Sequence, residues 1–167
     1  MAQNIIFCLL VMFSMGCQSD CEKYLIDDPQ IGEGCGNVFV YKQFEVGGNP
    51  NSFISVSIDH AAVPLSKEFM EVDLLDNPDV EVQLRQYNTE GQPFCTDIGI
   101  VGFEMISNWK LVYGTVEARV VSPPTDCDDN YRVDVTIKNT LFSHPDNSNY
   151  FFDEVLFRNV LVGWIAG

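Results

Sequence analysis

The sequence is short of basic residues: nine Lys and Arg stand against 24 Asp and Glu, for a formal net charge of −15. A surface of that sign is repelled by phosphate backbones, so nucleic acid is excluded as an expected partner. Histidine is scarce too, with only His60 and His144, and no CxxC pair occurs among the six cysteines. The ligand spacings of a zinc site are therefore missing. There is no GxSxG and no HExxH motif, which leaves no assembled catalytic group in the sequence and no cofactor to expect. No stretch keeps an apolar helical period for three turns.

What is present begins with a leader. Nine apolar side chains run from Ile5 to Phe13, too few to cross a bilayer as a helix, which takes roughly 20 residues, but the length of a secretory h-region. Residues 1–16 are expected to be removed. The following body, 151 residues from Cys17 to Gly167, is enough for one domain that buries roughly 70% of its unfolded surface. Hydrophobic residues at 46% argue against disorder. Residues 17–34 read as a tether and loop, rich in Asp, Pro and Gly from Tyr24 to Gly36, and 35–167 as a single β domain.

Ser14, Met15, Gly16 and Cys17 resemble the lipobox of bacterial lipoproteins, with Ser14 standing where that family usually has Leu. The resemblance implies diacylation of Cys17 and a membrane partner reached through an N-terminal lipid. The alternative is an ordinary cleaved signal and a soluble secreted or periplasmic protein. The acidic stretch Gln18 to Glu22 is similar to tether signals that direct some lipoproteins of the Bacteroidota to the outer leaflet of the outer membrane. CGNVFVYK at 35–42, GTVEARV at 114–120 and VLFRNVLVGW at 155–164 resemble small β-rich lipoproteins of the same group. That resemblance implies export and an all-β fold, and carries nothing about chemistry.

Cysteine arithmetic agrees with the lipid. Cys8 leaves with the leader and Cys17 takes the acyl chains, so Cys21, Cys35, Cys95 and Cys127 remain as an even set for an oxidising compartment. Three pairings are possible; the one taken forward joins Cys35 to Cys95 and Cys21 to Cys127.

Beyond Gly36 the dominant period is two, the mark of strands with one buried face. Ile54, Val56 and Ile58 alternate with Ser55, Ser57 and Asp59, and Val133, Val135 and Ile137 with Asp134, Thr136 and Lys138. Similar stretches lie at 38–44, 69–75, 80–84, 109–113, 116–120 and 154–164, separated by turn-rich segments such as GGNPN at 47–51 and HPDNSN at 144–149. About eight antiparallel strands result, in a sandwich or a partly closed barrel. Gly114 suits a bulge or bend that lets one strand serve two sheets. Val38 to Tyr41 and Val160 to Val162 are apolar at consecutive positions, as strands covered on both faces are.

Candidate sites are few. Asp126, Asp128 and Asn130 imitate the start of a calcium loop, but Tyr131 and Ile137 occupy its sixth and twelfth positions where Gly and Glu are needed; no metal is expected. His60 is expected to bond locally and His144 to be solvated in a turn. Acidic pairs, Asp73 with Asp76 and Asp153 with Glu154, arise readily in so acidic a chain. Trp109, Tyr113, Tyr131, Tyr150, Phe151, Phe152 and Trp164 would make a carbohydrate or apolar-ligand platform if several project from one surface. The expected role is a lipid-anchored, non-enzymatic envelope protein acting as a binding or accessory module for a protein or carbohydrate ligand. Two alternatives stay open: a calycin-like barrel holding a small apolar ligand, and a hydrolase whose groups converge only in the fold.

Overall fold

The two-residue period becomes eight β-strands in a computed structural model, which describes residues 30–91, 94–96, 102–124 and 129–163. They are β1 (Glu33–Cys35), β2 (Phe39–Val46), β3 (Asn49–Ile58), β4 (Met70–Asp73), β5 (Val80–Tyr87), β6 (Met105–Ser122), β7 (Tyr131–Ser143) and β8 (Asn149–Val162). Among the described residues there is no helix. Every pairing is antiparallel, in the order β1-β2-β3-β5-β6-β7-β8, with β4 set along β6.

The two ends of this order meet. Ile31 and Arg158 exchange backbone hydrogen bonds of 2.9 Å each, joining the chain before β1 to β8. The sheet is thus a partly closed barrel. The strand count agrees with the alternation, but its composition differs. The stretches at 109–113 and 116–120 are one continuous strand, β6, and the segment read as a loop up to Gly36 supplies β1. No helical turn forms over Pro64–Phe69.

Local chemistry explains the turns. Between β2 and β3 only Gly47 and Gly48 intervene, at φ of 60° and 81°, and a two-residue hairpin of this hand needs positive φ at both positions. Gly114 does what its place in an apolar run suggests. The β6–β7 register shifts across it, between Tyr113 and Thr115, and β6 changes partner along one edge, from β5 at Met105–Trp109 to β4 at Thr115–Ala118. A Cβ at Gly114 would lie 2.3 Å from the buried Thr140 Oγ1. Gly114→Ala is therefore expected to destabilise the fold by roughly 1–3 kcal/mol, measured by urea unfolding. Thr140→Ala in the same chain should recover part of the loss.

The barrel interior is filled by apolar side chains, among them Val40, Ile54, Leu84, Ile137, Phe142 and Phe157, each 0–1% exposed. A second cluster lies apart from it: Tyr41, Phe53 and Tyr87 pack with Phe39, Phe94 and Phe103. Phe94 makes ring contacts at 5.0–5.8 Å with Phe39, Tyr41 and Phe53, and the Cys35–Cys95 disulfide ties its segment to the end of β1. This cover explains why β2 is buried at both Val40 and Tyr41, and why Ser55, expected to face water, is 3% exposed. Cys21 and Cys127 lie outside the described residues, as do the leader and Cys17.

Candidate binding face and hydroxyl–imidazole chain

Strand register decides which aromatics share a surface. Tyr113 on β6 pairs with Leu141 on β7, and Leu141 with Phe151 on β8, so the three point the same way across neighbouring strands. Tyr113 is 43% and Phe151 51% exposed. Two strand steps separate them, about 10 Å. The next row on this face is Lys110, Ser143 and Asn149. On the other side Lys138 pairs with Thr115 and Glu154 and makes a 2.7 Å ion pair with Glu117, whose hydrogen bond raises the Lys138 ammonium above its usual range.

The other aromatics of the expected platform go elsewhere. Trp109 and Tyr131 are buried, and Tyr150 and Phe152 pack on the core from within. Burial pushes the Tyr131 phenol up, and its hydroxyl donates to the Asn37 carbonyl. Inward and outward positions alternate along β8, so the run Tyr150, Phe151, Phe152 cannot present three rings together. Trp164 lies outside the described residues. An open cleft of about 770 Å³ is bordered by Glu33, Tyr41, Lys42, Gln43, Phe53 and Glu90. It shares no residue with the exposed aromatic face, and Tyr41 and Phe53, at 2% and 4% exposure, show it little ring surface.

His144 departs from expectation. It is not simply solvated: Nε2 lies 2.6 Å from Ser107 Oγ on β6, Nδ1 lies 2.9 Å from Asp146 Oδ1, and its ring sits 4.9 Å from that of Trp109. The turn His144–Ser148 closes through His144 N to the Ser148 carbonyl, 2.9 Å, and so carries imidazole and carboxylate to Ser107 near the start of β6. The Ser148 hydroxyl and N–H, then His144, hold the Asp146 carboxyl down to about 2. Trp109 Nε1 is buried without a hydrogen-bond partner among the described residues; such an orphaned donor costs about 1–3 kcal/mol.

Trp109 also borders a cleft of about 440 Å³ with Leu74, Val82, Asn108, Lys110 and Leu111. This opening exists because β5 and β6 part beyond the pair Leu84–Trp109, before β4 takes up the β6 edge at Thr115.

His60 Nδ1 accepts from Leu65 N at 3.2 Å, a local bond as its turn position suggests. Asp73 caps Leu75 N at 2.9 Å, and Glu154 faces Lys138. Asp126 and Asp128 lie outside the described residues, while Asn130 immediately precedes β7. Among the described residues no group of three or more His, Cys, Asp or Glu is placed to hold a metal. Comparison with family models, curated proteins and solved structures finds no match.

Sequence reasoning missed Ser107, Leu141 and Asp146. Only Asp146 carried a signal, its position two residues after His144; the partners of Ser107 and Leu141 are set by register.

Proposed function

We propose that the protein is a lipid-anchored binding module of the bacterial envelope, held at the outer membrane by acyl chains on Cys17, that takes a neutral carbohydrate on the Tyr113–Leu141–Phe151 face. The observation that carries the ligand reading is the pair of half-exposed rings on one face. Exposed aromatic rings stack on the apolar faces of sugars, while Lys110, Ser143 and Asn149 offer hydrogen bonds to hydroxyls at the rim. A net charge of −15 disfavours anionic polymers. The anchor rests on the lipobox-like leader and on the even cysteine set left once Cys17 is modified.

A ligand inside a calycin-like barrel is less favoured, because Val40, Ile54, Phe142 and Phe157 occupy the interior. The hydrolase alternative has one observation behind it, the Ser107–His144–Asp146 chain.

Binding to an array of neutral oligosaccharides is the test. Tyr113→Ala with Phe151→Ala should weaken capture at least tenfold while circular dichroism stays unchanged. An array with no bound spot, or binding indifferent to both changes, sinks the carbohydrate reading. Intact-mass analysis of the membrane fraction should find a diacylated chain starting at Cys17, and Cys17→Ser should move the protein to the soluble fraction. A full-length, unlipidated chain in the cytosol sinks the anchor.

A further inference from the structure

We infer that Ser107 is an activated nucleophile able to accept an acyl group, with His144 as its base and Asp146 as the positioning residue. This goes beyond the binding role and uses none of the residues of the exposed aromatic face.

A serine hydroxyl is a weak nucleophile until a base stands within hydrogen-bond reach and a third group orients that base. Both conditions are met, at 2.6 Å from Ser107 Oγ to His144 Nε2 and 2.9 Å from His144 Nδ1 to Asp146 Oδ1. Asp146 N also lies 3.5 Å from Nδ1, but the shorter carboxylate contact wins, so Nδ1 keeps the proton and Nε2 offers its lone pair to the serine. Ser107 and His144 are 37 residues apart, so local turn geometry alone does not bring them together. The Trp109 ring lies 4.9 Å from that of His144, and its buried Nε1–H has no hydrogen-bond partner among the described residues. The acyl donor suited to the Ser107 hydroxyl is a small ester, whose carbonyl carbon it attacks.

In the acylation step Ser107 Oγ adds to the ester carbonyl carbon as its proton passes to His144 Nε2. The carbon–oxygen bond to the alcohol breaks, and Nε2 returns the proton to the departing oxygen. Water then attacks the acyl-serine, giving one proton to Nε2, which passes it to Ser107 Oγ as the acid leaves. The negatively charged surface suits a neutral acyl ester.

A fluorophosphonate reports on the serine directly: Oγ displaces fluoride and a phosphorus–oxygen bond forms. Full-length protein treated with such a probe should gain one adduct, mapped to Ser107 and absent in Ser107→Ala. His144→Ala should slow labelling roughly a hundredfold with circular dichroism unchanged. Asp146→Asn should slow it less and change the imidazole ¹⁵N spectrum from a single Nδ1–H tautomer to a mixture, which a merely structural turn residue would not do. No adduct at Ser107, or equal labelling in His144→Ala, overturns the inference.

Discussion

Loss of the Cys35–Cys95 disulfide should lower stability by about 4 kcal/mol. The two cysteines are 60 residues apart, and closing a loop of that size in the unfolded chain removes entropy worth about 4 kcal/mol. A second contribution acts in the folded state. The bridge holds Phe94 against Phe39, Tyr41 and Phe53, and without it the outer cluster loses the tie that keeps its cover in place. The result should be a fall in Tm of roughly 10–15 °C for a domain of this size and greater protease access to the segment around Phe94. Cys35→Ser with Cys95→Ser, unfolded in urea beside the parent protein, checks it. Equal midpoints and equal slopes would show that the bridge does nothing for the fold.

Asp134→Ala should be almost as damaging, at about 3 kcal/mol. Asp134 is 6% exposed and both of its oxygens are used. Oδ2 accepts Arg119 Nε at 3.0 Å and Nη2 at 2.7 Å, while Oδ1 accepts the backbone N–H of Asn159 at 2.9 Å. Asn159 sits at φ 54°, where the β7–β8 register shifts between Val133 and Val135, so the carboxylate replaces a ladder bond that the bulge removes. Truncation strands a buried N–H and a charged guanidinium, and breaking a buried pair from one side costs roughly 3–5 kcal/mol. The lower end applies because the Arg119 side chain is 36% exposed and also lies over the Phe69 ring, 4.4 Å from its centroid. Arg119→Ala should therefore cost less than Asp134→Ala, and a double-mutant cycle separates the pair from the bulge contact. A loss within about 0.5 kcal/mol for Asp134→Ala, the ordinary surface range, would refute the assignment.

Much of the barrel wall was legible because its causes are local. Val133, Val135 and Ile137 alternate with polar neighbours and are each 0% exposed, and Gly47–Gly48 turns where two positive φ values are needed. Gly114 was legible as a bend, although Thr140, the reason no side chain fits there, was not. The platform was half legible: seven aromatics were candidates, but among the described ones only Tyr113 and Phe151 share an exposed face, because facing depends on register shifts near Val112 and Asn139 that periodicity does not encode. His144 was misjudged for a related reason. A histidine in a Pro-Asp-Asn-Ser turn reads as solvated, and its hydroxyl partner lies on another strand.

The sequence by itself determined an acidic, strand-built chain and the places where it must turn, since alternation, glycine freedom and charge act over a few residues. Only the tertiary structure decided that Ile31 meets Arg158 to close the sheet, that Phe94 and the disulfide cover its outer wall, and that Ser107 faces His144. Those contacts join residues tens of positions apart, and their geometry follows from strand register and packing, which no local pattern specifies.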